Sequence, residues 1–220
     1  MLLDAYRDLK YLLNRGYRKK YALEFVANHY RLTKGERYLL ARCVFSDEWI
    51  DEVGRKLLMP EELRGKVIGI DGFNVLITLE SLLEGRAILC EDGLVRDLKY
   101  QGKYRLNEGT ERLLSDLARA LGGLGVEKAV FFYGSAVPKS GEVKGLTEKA
   151  LIREGVNSEV RLVKSPDFEL KAFETVATAD IGIISKVPHV FDLAAYVGRL
   201  AGWEAGDLFE LLGKAYSERY

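Results

Sequence analysis

Apolar positions in the first third of the chain repeat at intervals of three and four, the spacing of one helix face. Leu2, Leu3, Tyr6, Leu9, Leu12 and Leu13 form the first such stripe, and Asn14-Arg15-Gly16 closes it with a glycine suited to a left-handed stop. A second helix is expected from Tyr21 to Tyr30, on Leu23, Val26 and Ala27. Thr33 followed by Glu36 reads as a capping box, in which the two residues satisfy each other's backbone N–H groups. It opens a third helix with Tyr38, Leu39, Cys43 and Val44 turned inward. Ser46 or Asp47 caps a fourth, which runs to about Leu58 and stops before Met59-Pro60.

Beyond Lys66 the pattern changes. Val67-Ile68-Gly69-Ile70 is a short apolar run ahead of an acid, as expected of a strand buried on both faces. A helix over 73–83, a strand over 87–90 and a long polar loop over 91–107 follow. Asn107 or Thr110 begins a helix to about Leu121, then come a strand over 129–133, a helix over 138–153 and a strand over 160–163. Ser165-Pro166-Asp167 opens a helix to about Val176, Ile181 to Ser185 reads as the fifth strand, and the tail from Pro188 is mostly helical. This alternation predicts the α/β class: a parallel sheet covered on both faces, three layers deep, preceded by a small all-helical segment over residues 1–62. Ligands of such sheets bind at the carboxyl ends of the strands, beside the switch in strand order.

Hydrophobic residues make up 48% of the 220, enough for a core and too many for a generally disordered chain. No apolar run reaches membrane-spanning length, and Met1-Leu2-Leu3-Asp4 lacks the basic-then-apolar order of a secretory signal. No membrane partner is expected, and the cytoplasm is the expected compartment. Cys43, Cys90, His29 and His189 are not spaced for a zinc cage, so the two thiols are expected to be reduced and buried. Lys plus Arg equal Asp plus Glu at 33 each, yet residues 1–42 carry ten basic against four acidic residues, a net +6 that leaves −6 on the remainder. A basic end on an acidic body suits polyanions at one end and cations at the other. Thirty per cent charged residues, one Gln and two Met give the composition a heat-adapted character.

The chemistry gathers around Asp71, which stands at the end of the first strand with Gly72 beside it for a tight turn and Asn74 within reach. Hard cations such as Mg²⁺ take a few carboxylates plus water and phosphate oxygens. Glu91 and Asp92 follow the second strand and Asp167 the fourth, so Asp71, Asp92 and Asp167 are the expected carboxylates of one acidic edge. Two bound ions there can activate water for phosphodiester cleavage. Helix capping by Asp71 and turn or cap chemistry at Asp92 and Asp167 are the competing structural roles. Asp97 and Asp180 are weaker candidates, Asp180 because it precedes its strand and belongs at the opposite edge. The loop 94–105 interleaves Arg96, Lys99, Tyr100, Lys103 and Arg105, residues that can grip phosphates and stack on unpaired bases. Arg15, Arg18, Lys19 and Lys20 form a second candidate phosphate-binding patch. There is no Walker A run, no strand-following Gly-x-Gly-x-x-Gly and no Gly-x-Ser-x-Gly elbow, though the Gly134-Ser135 turn after a strand can contact a phosphate.

At Ile70-Asp71-Gly72-Phe73-Asn74-Val75 the sequence resembles the PIN-like nuclease superfamily, especially its NYN branch, with similar strand–helix order over roughly 66–200. Leu12-Leu13-Asn14-Arg15-Gly16-Tyr17 and Arg31-Leu32-Thr33 resemble a largely archaeal family in which a helical domain precedes a PIN-like one. The resemblance implies a metal-dependent ribonuclease fold, with Asp71 as the first-strand acid and Asp167 as the acid at the start of the helix before the fifth strand. Where NYN proteins carry a Ser-Gly-Asp-like ending after that strand, this chain reads Ile184-Ser185-Lys186, leaving Asp92 or Asp97 to supply a ligand. The expectation is a ribonuclease using Mg²⁺ or Mn²⁺ on Asp71, Asp92 and Asp167. Asn74 and Ser185 would position phosphate or water, and RNA and a second copy of the chain are the expected partners. The alternative is a catalytically degenerate PIN-like module that binds RNA or protein. A phosphatase is disfavoured because the first strand lacks an Asp-x-Asp pattern.

Overall fold

The structure, a computed structural model, describes residues 1–98 and 104–217. The strands among them are β1 (Val67–Asp71), β2 (Ala87–Leu89), β3 (Val95–Asp97), β4 (Lys128–Gly134), β5 (Ser158–Val163), β6 (Thr175–Ala177), β7 (His189–Val190) and β8 (Gly206–Asp207). The helices are α1 (Leu2–Asn14), α2 (Lys19–His29), α3 (Lys34–Cys43), α4 (Asp47–Lys56), α5 (Gly72–Leu83), α6 (Thr110–Leu124), α7 (Ser140–Arg153), α8 (Pro166–Leu170), α9 (Ile181–Ile184), α10 (Leu193–Ala201) and α11 (Leu208–Ser217). No helix among the described residues is long and apolar enough to cross a membrane.

The central sheet has five strands, all parallel, in the order β5-β4-β1-β6-β7. From β1 the chain steps to β4 and β5 on one side, then crosses to β6 and β7 on the other. The switch in direction therefore falls between β1 and β6, where Ile70 pairs with Ala177. Period-two burial sorts β4 between two cores. Ala129, Phe131 and Tyr133 face α5, α6, α7 and α10. Val130 and Phe132 face α8, α9 and Val53 of α4. Gly69 of β1 lets the Phe173 ring lie flat on the strand, since a Cβ there would come within 2.8 Å of it.

The helical segment packs against the α/β part. Its fourth helix helps to cover the sheet, while α1, α2 and α3 share a third core with Ile88, Cys90, Leu208 and Leu212. The expected capping box of Thr33 and Glu36 and the Ser46 cap are both present. Polar contacts fasten this layer. Glu91, whose side chain is 4% exposed, accepts from the Tyr6 hydroxyl at 2.6 Å, the Phe45 N–H at 2.8 Å and Lys10 at 3.3 Å. Cys43 and Cys90 are free, buried thiols as expected, and hydrogen bonding to Cys90 together with burial holds Cys43 well above the ordinary thiol range.

Three expected elements come out differently. Residues 91–107 are not one loop: β3 pairs antiparallel with β2 in a second sheet, β3-β2-β8, across a tight turn in which Gly93 has φ 80°. An Asp-Gly between two apolar runs is a hairpin signal, and Asp92-Gly93 carried it. The fourth strand of the parallel sheet is Thr175–Ala177, a stretch expected to be the end of a helix. Ile181–Ile184, expected as the fifth strand, is helical: the Asp180 carboxylate caps it by accepting from the Ile183 N–H at 3.1 Å, and Ile183 and Ile184 are both fully buried. Four apolar residues carry no period that separates strand from helix, and the start of α9 is set by its cap.

Lys19 is the costliest residue of the helical layer. Its ammonium is buried 3.7 Å from the centre of the Phe45 ring, with no hydrogen-bond partner among the described residues. Burial, aided by Arg96, lowers its pKa from the ordinary 10.5 to about 8. The folded chain therefore releases this proton before the unfolded chain does, so the cost of burying the charge is full below pH 8 and fades as pH rises towards 10.5. In urea melts, Lys19→Met is expected to exceed the wild type in stability at neutral pH by up to roughly 3 kcal/mol, the gap closing above pH 10. A gap that stays constant with pH would show that Lys19 does not titrate in this window.

Candidate functional site

β1 delivers Asp71 to the carboxyl edge of the sheet at the switch in strand order, and α5 begins at the next residue. The glycine that follows is required by packing rather than by a special turn. A Cβ on Gly72 would lie 2.2 Å from the Tyr133 ring, which is fully buried beneath it and hydrogen-bonded to Thr147 at 2.9 Å. Asp71 occupies the N-cap position of α5 without closing a side-chain cap, so its carboxylate is left for other partners.

Across the switch, β6 leads into Thr178-Ala179-Asp180. The Thr178 hydroxyl donates to Asp71 Oδ2 at 3.1 Å and accepts from the Asp180 N–H at 3.1 Å. Asn74 Oδ1 accepts from the Ala179 N–H at 2.9 Å. Asp71 is partly accessible and deeply set, and its pKa is pushed up to about 7. Burial is the chief cause, with Asp180 and Asp167 adding to it against the Thr178 hydroxyl and the Asn74 N–H. Among the described residues, no Lys or Arg forms an ion pair with Asp71, Asp167 or Asp180. The same edge therefore holds three carboxylates without a compensating cation.

Of the expected site residues, Asp71, Asn74 and Asp167 come to this edge. Asn74 does so as a brace for the Thr178–Asp180 loop, and Asp167 sits exposed in the first turn of α8. Asp92 does not. Because β2 belongs to the second sheet, its end is not an equivalent position; the Asp92 side chain is fully buried, forked onto Arg96 at 2.6 and 2.7 Å and accepting from the Trp49 indole at 3.0 Å. Asp97 pairs with Arg42 at 2.8 Å. Ser185 is an exposed residue at the end of α9, bonded to Gly182 O at 3.2 Å rather than aimed at phosphate. Asp180 was assigned to the wrong edge only because its neighbour was read as a strand. The short run Thr175-Val176-Ala177-Thr178 ahead of it is buried in the structure, but carries no strand signal along the sequence.

The expected RNA contacts divide in the same way. Arg96 is fully buried and Lys19 has its ammonium enclosed, so neither meets a ligand. Arg15, Arg18, Lys20 and Arg105 are exposed. Lys99, Tyr100 and Lys103 lie outside the described residues.

Arg96 bears on the site from behind. Its Nε donates to Ala179 O at 3.1 Å while its two terminal nitrogens hold Asp92. The Ala179 residue is thus gripped at both ends, its N–H by Asn74 and its carbonyl by Arg96. Both polar groups of the Ala179 main chain, between Thr178 and Asp180, are thereby held.

An acid at the switch point of a parallel, doubly covered sheet defines an α/β protein with its candidate site at the carboxyl edge. The chain belongs to the family described as "Domain of unknown function (DUF5616)", which matches residues 60–196. Residues 1–56 match "Protein of unknown function (DUF434)". The chain is 43% identical over 195 residues to "Uncharacterized protein MJ0935" of Methanocaldococcus jannaschii, covering 87% of this chain and 93% of that one. No solved structure matches it.

Leaving Asp92 buried without its partner is the costly error in such a pair. Arg96→Met is expected to lower stability by about 3–5 kcal/mol and to speed amide exchange at Ala179 and Asp180. Asp92→Leu combined with Arg96→Met, which removes both charges, is expected to lose much less stability. Equal losses in the single and double variants would show that the fork is not what holds this region.

Proposed function

We propose that the chain is a PIN-like, divalent-metal-dependent ribonuclease centred on Asp71 and Asp180, with Asp167 at the rim. The observation that carries the reading is the pairing of Asp71, at the end of the central strand, with Thr178-Ala179-Asp180 across the switch point. Two features support it. In sheet order the five strands run third, second, first, fourth, fifth, an order shared with doubly wound nucleotide-binding sheets. The ending that NYN proteins carry after the strand on this side, Ser-Gly-Asp-like, has a counterpart in Thr178-Ala179-Asp180 once the strand is Thr175–Ala177. The apparent loss of that acid at Ile184-Ser185-Lys186 then disappears. The family descriptions name no activity, so the reading rests on the site.

The donor set fits Mg²⁺ or Mn²⁺ in kind. Mg²⁺ is held by one or two carboxylates completed by water and phosphate oxygens, and a crowded, uncompensated carboxylate such as Asp71 gains from a cation. A bound ion supplies Lewis-acid stabilisation and a more acidic water for phosphodiester hydrolysis. The chain's own part is to hold Asp71 through Thr178, to fix Asp180 at the head of α9, and to lock the loop between them through Asn74.

One observation favours a second reading, an RNA-binding module without catalysis. Among the described residues no three His, Cys, Asp or Glu side chains are close enough together to hold a metal ion. Incubation with unpaired RNA and Mn²⁺ or Mg²⁺, at raised temperature, separates the two. Asp71→Asn and Asp180→Asn are each expected to lower the cleavage rate by about a hundredfold or more with melting temperatures near the wild type. Undiminished cleavage in both variants would remove the nuclease reading. RNA binding without cleavage under either ion would install the second.

A further inference from the structure

The structure sorts the basic residues of the helical layer into those already committed and those left over. Lys10 is tied to Asp47 at 2.8 Å and to Glu91, and Arg42 to Asp97. Arg37 is spent on Ala27 O, Leu32 O and Asn28. Lys19 is buried. Of the bases left exposed and without a carboxylate partner among the described residues, Arg15, Arg18 and Lys20 lie together. They cluster at the turn between α1 and α2, inside a stretch from Leu9 to Leu23 that contains no Asp or Glu.

The same turn leaves four large rings in water: Tyr11, Tyr17, Tyr21 and Phe25 are 58%, 60%, 60% and 69% exposed. Tyr11 lies on the outer side of α1, whose inner stripe is Leu2, Ala5, Leu9 and Leu13. Tyr21 and Phe25 lie one turn apart on α2, away from its buried Ala22, Val26 and Ala27. Cations stand over these rings, the Arg15 guanidinium 4.9 Å from the Tyr11 centroid and the Lys20 ammonium 6.0 Å from that of Tyr21. Exposed aromatic surface at this density marks an interaction site rather than ordinary surface.

We infer that the α1–α2 hairpin is a docking surface for unpaired RNA, with bases stacking on Tyr21, Phe25 and Tyr11 and phosphates meeting Arg15, Arg18 and Lys20. Rings interleaved with uncompensated cations are what a single strand recognises: every base offers a flat face, and the backbone offers one negative charge per nucleotide. The tyrosine hydroxyls add groups that can bond a ribose 2′-OH. A membrane surface fits less well, because residues 1–58 expose no large aliphatic side chain beside these rings. The helical layer also borders the acidic edge, since Ile181, the residue after Asp180, packs into its core. A strand held on the hairpin is therefore held by the layer that abuts the site. The choice of RNA rests on the nuclease reading, but the binding itself does not require catalysis.

The test uses full-length Asp71→Asn protein in chelator, so that binding is read without cleavage, with a fluorescent unpaired RNA of mixed sequence followed by anisotropy. Binding that is weaker for a duplex of the same sequence and falls with salt at a log–log slope of about −2 is expected. Tyr21→Ala with Phe25→Ala is expected to weaken it about tenfold or more, and Arg18→Gln with Lys20→Gln to weaken it and flatten the salt slope. The charge variants alter only exposed side chains and keep the test decisive if the aromatic pair fails to fold. No RNA binding, or binding that both pairs of changes leave untouched, would overturn the inference. Equal binding to the matching DNA would overturn the choice of RNA, and flotation with anionic phosphatidylserine vesicles, lost in the same variants, would reassign the surface to membranes.

Discussion

The contact on which the rest of this structure hangs is a guanidinium with no access to water. Arg96 is fully enclosed, so its charge is tolerable only because every side of it is met. Asp92 takes two of its donors, Ala179 O takes a third, and the Phe45 ring lies 4.9 Å from its centre. These partners come from three different parts of the fold: the link between α3 and α4, the β2–β3 turn and the loop after β6. Trp49 of α4, bonded to Asp92, adds a fourth. The helical layer and the sheet are thereby bound to a common centre.

That centre also shapes the acidic edge. By holding the Ala179 carbonyl it fixes the span between Thr178 and Asp180, and Asn74 fixes the same residue from the front. The result is a loop rigid enough to keep Asp180 near Asp71 against their mutual repulsion. Burial is the chief cause of the upward shift of Asp71, and Asp180 and Asp167 add to it. A site in which carboxylates are kept together without a cation stores unfavourable energy that a positively charged ligand relieves.

The two ends of the molecule divide the charge between them, but not as the residue counts suggest. Part of the basic excess over residues 1–42 is met within the fold, Lys10 by Asp47 and Glu91 and Arg42 by Asp97. The exposed bases without a carboxylate partner include a group at the α1–α2 turn, set among aromatic rings. Net charge over a segment describes the long-range field; the geometry decides which charges have a surface to act on.

The sequence alone determined the elements that local chemistry specifies. The helices of the first third follow from their apolar stripes and caps, and β1, β4 and β5 from apolar runs bounded by turns. Asp71 was legible because it ends the first of those strands, and Asn74 because it lies one helical turn on. What only the tertiary structure decided were the elements whose local signal is degenerate. Thr175–Ala177 is too short and too weakly apolar to announce a strand, and becomes one because β1 offers it an open edge. Ile181–Ile184 is as apolar as a strand, and becomes a helix because Asp180 caps it and the space beneath takes Ile183 and Ile184 together. Asp92 and Arg96 look like surface charges in the sequence. They are interior because each finds the other four residues away across a hairpin turn, and no pattern along the chain records whether a charge will meet its partner or the solvent.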